Sequence, residues 1–164
     1  MGGPIINGFA RRRPLECVAV ADLIDRLTAL ARAGRAVDLC KSLRAEVPHF
    51  NWVGVYMIEG GDTLVLKAWD GPEETEHVRI PIGQGICGLA AREARTVIVD
   101  DVNKDPRYLA CFLQTRSEIV VPIFADGVVV GEIDIDSDKP SAFTAADREL
   151  LEAIAGELGK ATVR

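Results

Sequence analysis

The chain has 164 residues, of which 48% are hydrophobic and 27% are charged, and its formal net charge is -6. This length suits a single globular domain that buries its own core without disulfide bonds. The negative charge argues against nucleic acid and anionic membranes as partners, and no stretch approaches the ~20 apolar residues that span a bilayer. The start of the chain does not have the pattern of a secretory signal, so the expected location is the cytoplasm, where the four cysteines stay reduced.

Two helices are predicted in the first third of the chain. Residues 1–14 contain Gly, Pro and Arg without periodicity and are expected to form a flexible tail, which leaves 15–164 as one domain. Apolar residues recur at helical spacing over 15–32 and again over about 35–46, and Pro48 ends the second helix.

The pattern then changes to alternation, which predicts strands. The runs 51–58 and 62–69 flank Gly60-Gly61, which is a hairpin signal. The remaining predicted elements are strands at 77–82 and 96–101, a helix after the glycines of 83–88, a loop over 102–115, a hairpin across Ala125-Asp126-Gly127, and a last helix with Thr144 as N-cap and Asp147 as an approximate capping-box partner. This order predicts an α+β fold, in which N- and C-terminal helices cover one face of an antiparallel sheet and a lidded pocket lies on the other.

Strand alternation assigns side chains to the two faces of this sheet. In 51–58, Trp52, Gly54 and Tyr56 point one way, whereas the alternate residues are apolar and suit a core. Two large rings on either side of a glycine form a notch with aromatic walls. The same parity puts Glu132, Asp134 and Asp136 on one face of a later strand.

Three carboxylates on one strand face repel one another unless solvent or a cation neutralises them. The simplest interpretation is a solvated sheet face. In the alternative interpretation Asp134 and Asp136 bind an ammonium group, and Trp52 or Tyr56 adds cation–π attraction of about 1–2 kcal/mol. Mg²⁺ or Ca²⁺ is a third option, but no loop with metal-ligand spacing accompanies these residues, so no metal is predicted.

The four cysteines divide into two groups. Cys17 and Cys40 lie on the apolar stripes of the first two helices and are expected to pack as small hydrophobic residues. Cys87 follows a glycine-rich segment and should lie in the first turn of a helix that begins near Gly85, where the helix dipole stabilises a thiolate. The segment GQGICG resembles a dinucleotide loop only superficially, because no second parallel strand or acidic ribose ligand follows it.

Cys111 lies in the long loop, close in sequence to Arg107 and Arg116, which favour a thiolate. A loop cysteine that faces a cysteine at a helix start forms a reasonable redox pair, so Cys87 and Cys111 are the candidate reactive thiols. Zinc is disfavoured, because these two cysteines are 24 residues apart and neither histidine stands at ligand spacing.

Several short motifs together resemble the GAF domain superfamily: NWVGVY, RIPIGQGICG, LAC, RSEIVVPI and GEIDIDS. More narrowly, they are similar to the free methionine-(R)-sulfoxide reductase family, from about Phe50 to Leu158. The resemblance implies reduction of free L-methionine (R)-sulfoxide without a cofactor. It implies that Cys111 is the nucleophile, that Cys87 forms a disulfide with it, and that a thioredoxin-like protein reduces this disulfide.

The resemblance also implies roles for the acidic and aromatic residues. Glu118, Asp134 and Asp136 match residues that hold the substrate and supply a proton to its oxygen, and Trp52 and Tyr56 match residues of an aromatic pocket. The acidic pair would anchor the α-ammonium group of a free amino acid.

The chain departs from the family at one position. Reductases of this family typically carry a third, resolving cysteine just before VRIP, where this chain has His77. Either Cys87 resolves the intermediate, or an external thiol does, or the chain is no longer an efficient reductase. Two alternatives to a reductase are therefore kept: a non-catalytic GAF sensor module that binds a small molecule, and a homodimerisation domain that uses the terminal helices.

Overall fold

A computed structural model describes residues 15–110 and 112–163, with side chains from residue 20 onward. Over these residues it contains four α-helices and six strands, and the predicted α+β fold is confirmed. The tail 1–14 and Cys111 lie outside the described residues, so what was predicted of them stays a prediction. The elements are α1 (Leu15–Arg32), α2 (Ala36–Glu46), β1 (Trp52–Glu59), β2 (Thr63–Asp70), β3 (Arg79–Pro81), α3 (Gly85–Glu93), β4 (Val97–Val99), a 3-10 turn (Val102–Lys104), β5 (Ser117–Ala125), β6 (Val128–Ser137) and α4 (Ala145–Thr162).

The six strands form one antiparallel sheet in the order β3-β2-β1-β6-β5-β4. Both predicted hairpins, β1–β2 and β5–β6, are present, and β1 and β6 pair at the centre. The strand predicted over 77–82 is reduced to β3, and the strand predicted over 96–101 is reduced to β4. The second run ends early because the Asp101 carboxylate accepts a hydrogen bond from Asn103 N–H and starts the 3-10 turn.

The hydrophobic core lies between one face of the sheet and the helices α1, α2 and α4. Val53 and Val55 of β1 and Ile133 and Ile135 of β6 are fully or almost fully buried there. Strand alternation predicted this face for β1, and the structure agrees. None of the helices in the described ranges has the length and apolar composition needed to cross a membrane.

Cys40 lies inside this core and is completely buried. Burial raises the pKa of its thiol to about 12, so the group stays neutral. Its predicted packing role is confirmed. The side chain of Cys17 lies outside the described side chains.

The N-terminus of α4 is closed by a complete capping box. Asp147 N–H donates to Thr144 Oγ1 at 3.3 Å, and Thr144 N–H donates to the Asp147 carboxylate at 2.8 Å. Aspartate therefore serves here as well as the longer glutamate of the usual motif. The cap fixes where α4 begins and hence how it lies on the sheet.

Candidate active site

Pairing on the sheet face opposite the core brings the predicted acidic and aromatic residues together. Trp52 stands opposite Asp136, and Gly54 opposite Asp134, where β1 pairs with β6. Glu118 stands opposite Asp136 where β5 pairs with β6. Directly opposed residues of an antiparallel pair carry their side chains on the same face. Three strands therefore contribute to one polar patch at the centre of the sheet.

This patch contains four carboxyl groups, which we call the acidic cluster: Glu118, Glu132, Asp134 and Asp136. Their exposed fractions are only 4%, 0%, 1% and 2%. The interpretation of these acids as a solvated sheet face is therefore wrong. The reason is that α3 crosses this face and shields it from solvent, with Ile86 in the same apolar group as Val120 of β5.

The oxygens of the acidic cluster have few partners within the described part of the chain. Both carboxylate oxygens of Glu132 and of Asp136 are buried without a hydrogen bond, as is one oxygen each of Glu118 and Asp134. No ion pair among the described residues involves any of the four. Buried carboxyl groups without cations are stable mainly in their neutral form.

The pKa values of the cluster are shifted accordingly. Burial raises the pKa of Glu132 to about 8. Burial, with the charge of Glu132, raises the pKa of Asp134 to about 7. Burial and the neighbouring carboxylates raise the pKa of Glu118 and of Asp136 well above their usual values. Burial thus favours the protonated carboxyl groups, which donate hydrogen bonds through O–H.

Cys87 lies at the edge of this cluster. It is the third residue of α3, which begins at Gly85, as the sequence predicted, and it is 4% exposed. Its Sγ donates to Glu118 Oε1 at 3.9 Å. The Sγ atom and one carboxylate oxygen each of Glu118 and Asp134 all lie within 4.8 Å of one another. The first turn of α3 therefore delivers a thiol to the acids of β5 and β6.

Trp52 forms an aromatic wall beside the acids. Its ring stacks on Trp69 with centroids 6.4 Å apart, and it meets Phe112 at 5.7 Å. Trp52 Nε1 is buried without a hydrogen-bond partner among the described residues. The indole N–H of Trp52 is therefore a buried donor that a bound molecule could use.

Tyr56 is the second ring on this face and is fully buried. Its hydroxyl donates to the backbone carbonyl of His77 at 3.0 Å, and His77 N–H donates to Thr75 Oγ1 at 3.1 Å. The backbone at His77 therefore anchors the ring of Tyr56.

A cavity of about 410 Å³ opens next to Trp52 and Asp136, in the size range of small-molecule sites. Phe112 and Thr115 of the loop before β5 also line it. A larger depression of about 680 Å³ lies elsewhere, where Asp101 and Lys104 pair with each other, and none of the acidic cluster lines it. The smaller cavity, with its buried acid and indole, is therefore the better candidate. That a loop closes over it as a lid stays a prediction.

Residues 19–161 match the family described as the GAF domain. The chain belongs to the GAF domain family. It is 40% identical over 126 residues to the free methionine-R-sulfoxide reductase of Saccharomyces cerevisiae, a match that covers 75% of this chain and 67% of that protein. The chain spans about two thirds of the length of the curated relatives that it matches first.

Two solved structures resemble this GAF domain over most of its length. The type II free methionine-R-sulfoxide reductase from Thermoplasma acidophilum is 43% identical, with a TM-score of 0.75 over 82% of this chain and 94% of that one. The reductase from Neisseria meningitidis, solved in complex with its substrate, is 31% identical, with a TM-score of 0.79 over 92% of each chain. These relatives confirm the resemblance inferred from the motifs, and they support an oxidoreductase.

Sequence reasoning missed two features of this GAF domain's site. Alternation with Asp134 and Asp136 puts Glu132 on the acidic face, but the predicted site does not include it, and the structure buries it with the other three acids. Gly71 contacts the Trp52 ring so closely that a Cβ there would overlap Trp52 Cδ1. No sequence pattern announces this contact, because it depends on how the chain turns after β2.

Replacing Glu132 by Gln should change how stability depends on pH. The pKa of Glu132 is about 8 in the folded chain, against 4.5 for an unperturbed glutamate, so the unfolded chain releases this proton first as the pH rises. The contribution of Glu132 to the free energy of unfolding is complete below about pH 4.5 and is lost progressively up to about pH 8. Denaturant unfolding in buffer free of divalent cations should show a fall over this range that is several kcal/mol larger in the wild type than in Glu132→Gln. Equal falls in both proteins would contradict the buried neutral state.

Replacing Gly71 by Ala should displace the Trp52 ring. The backbone of Gly71 needs no positive φ, so the added methyl group acts only through its overlap with the indole. We expect a loss of about 1–3 kcal/mol in the free energy of unfolding and a changed fluorescence of the two stacked tryptophans. Gly156→Ala, on the open side of α4 with nothing within 4 Å, is the matched control and should be neutral or stabilising. If both variants behave alike, Gly71 does not position Trp52.

Proposed function

We propose that this GAF domain reduces free L-methionine (R)-sulfoxide to methionine, with Cys111 as the nucleophile and Cys87 as the thiol that closes a disulfide. The buried acidic cluster with Cys87 at its edge is the observation that carries this proposal. The named reductases at 31–43% identity point to the same activity. Cys111 enters through its motif match, since its position lies outside the described residues.

The acidic cluster suits the sulfoxide group. A sulfoxide oxygen accepts hydrogen bonds and becomes more basic as the sulfur is attacked, so it needs an O–H donor in a dry site. Burial and its acidic neighbours raise the pKa of Glu118 and so favour the protonated form that can donate, and its Oε1 atom lies 3.9 Å from Cys87 Sγ. Glu118 is therefore assigned the role of the proton donor to the departing oxygen.

The other end of the substrate is a free amino acid, which carries an α-ammonium group. Asp134 and Asp136 are assigned to this group, and Asp136 and Trp52 both line the 410 Å³ cavity. A bound ammonium would stabilise the ionised form of these aspartates and would gain cation–π attraction from the indole. Peptide-bound methionine lacks this charge, so the site should prefer the free amino acid.

The chemistry balances with two thiols. The Cys111 thiolate attacks the sulfoxide sulfur, Glu118 protonates the oxygen, and methionine leaves while Cys111 becomes a sulfenic acid. The Cys87 thiol then attacks the Cys111 sulfur, a disulfide forms and water leaves. A thioredoxin-like dithiol reduces this disulfide by exchange. Two thiols are thereby oxidised for each sulfoxide reduced, and the third cysteine of the family is not needed.

The partners and location follow from this cycle. A dithiol reductant is available where thiols are kept reduced, so we propose a cytoplasmic enzyme that uses a thioredoxin-like protein. Homodimerisation through the terminal helices is proposed as well, because α1 leaves Val20 57% and Ile24 37% exposed.

Turnover should depend on Cys111 and not on the core cysteine. In an assay that couples NADPH oxidation through thioredoxin to free methionine (R)-sulfoxide, the wild type should turn over and Cys111→Ser should lose all activity above background. Cys40→Ala, which removes a buried thiol on the opposite face, should retain turnover. A wild type as inactive as Cys111→Ser would refute the enzyme. Ligand binding that survives Cys111→Ser, without turnover in either protein, would favour the GAF sensor.

The disulfide should form between Cys87 and Cys111. Mass spectrometry of the proteolysed chain after one equivalent of substrate should find this link in the wild type, because Cys87 Sγ lies beside the proposed proton donor Glu118. In Cys87→Ser the sulfenic acid on Cys111 should persist and be trapped by dimedone. Adducts of Cys111 with external thiols in the wild type, without the Cys87 link, would instead assign the second step to an outside reductant.

A further inference from the structure

The thiol and two acids at the edge of the cluster have the composition of a metal ligand set. Cys87 Sγ, one oxygen of Glu118 and one oxygen of Asp134 lie within 4.8 Å of one another, and all three residues are buried. Zinc bonds of about 2.3 Å to sulfur and about 2.1 Å to oxygen place ligand atoms about 3.5 Å apart. Side-chain movements of about 1 Å would therefore suffice to close a site around one ion.

A second observation points to a cation at the same place. Glu132 has no exposed surface, and neither of its carboxylate oxygens has a hydrogen-bond partner among the described residues. Its side chain lies on the same face of β6 as Asp134, two residues away. A buried carboxyl group without partners either keeps its proton or is balanced by a cation, and no ion pair in the described ranges supplies such a cation, so Glu132 is open to one.

The ligand types select the metal. Mg²⁺ and Ca²⁺ prefer sites made entirely of oxygen atoms. A thiolate ligand favours zinc and similar soft or borderline ions. Three protein ligands also leave a fourth position open, as in zinc sites that hold water or a small molecule.

We propose that Cys87, Glu118 and Asp134 form a zinc-binding site, with the buried carboxyl group of Glu132 beside it. The sequence alone disfavours zinc, because the usual zinc motifs consist of cysteines and histidines that are close together in the sequence. The ligands come instead from α3, β5 and β6, and only the sheet register and the path of α3 bring them together. Cys87 cannot bind zinc and form a disulfide at the same time, so the zinc-bound and the disulfide-bonded chain exclude each other. Only this consequence rests on the proposed function.

Direct zinc binding tests the site without turnover. The full chain, kept reduced by a phosphine, is titrated with Zn²⁺ in competition with a chromophoric chelator at neutral pH. One equivalent should bind. Cys87→Ala should weaken binding by more than about 100-fold, since loss of a ligand costs more than loss of a supporting group. Glu118→Gln and Asp134→Asn keep the side-chain shape and should each weaken binding by at least about 10-fold.

Cobalt gives a matching spectroscopic signature. Co²⁺ in place of Zn²⁺ should show the charge-transfer absorption of a cobalt–thiolate bond, and Cys87→Ala should abolish it. Cys40→Ala, which removes a buried thiol from the opposite core, should retain both the absorption and the zinc affinity. Circular dichroism establishes that each variant is folded; if Cys87→Ala is not, the two amide variants decide.

Three results would overturn the site. They are no zinc binding by the wild type, wild-type affinity in the Cys87 variant, and wild-type affinity in both amide variants. The outcome is independent of catalysis. A chain that binds zinc at Cys87 but reduces no sulfoxide would support the site and refute the proposed function, and an active reductase without zinc affinity would do the reverse.

Discussion

The register between the central strands β1, β6 and β5 determines which side chains form the core and which form the candidate site. It puts alternate apolar side chains of β6 into the helical core, and the carboxyl groups between them on the other face. A slip of one residue would exchange the two sets and bury Asp134 among the side chains of α1, α2 and α4. The apolar alternation that stabilises the fold is thus the same feature that assembles the acids.

The fold tolerates a buried acidic cluster because the two faces of the sheet have different roles. The face under α1, α2 and α4 supplies the apolar burial that drives folding. The face under α3 keeps four acids dry, which is unfavourable for their charged forms and therefore holds protons on them. A site built this way trades stability for reactive groups, as is common at functional sites.

The faces of the sheet and most helices and strands can be predicted from the sequence. Alternation over 51–58 assigned Trp52 and Tyr56 to one side, and helical spacing located α1 to within its observed bounds. Solvent exposure could not be predicted in the same way. The solvent exposure of Glu132 depends on α3, which covers this face of the sheet. The alternation of residues within β6 contains no information about that helix. The contact of Gly71 with Trp52 is tertiary for the same reason.

The hydrogen bond from Tyr56 to the carbonyl of His77 has an evolutionary consequence. A main-chain acceptor is present whichever side chain occupies the position, so this hydrogen bond of Tyr56 does not depend on the His77 side chain. A replacement of His77 therefore does not by itself remove this acceptor. The sequence can therefore vary at residue 77 while the Tyr56 ring keeps its anchor.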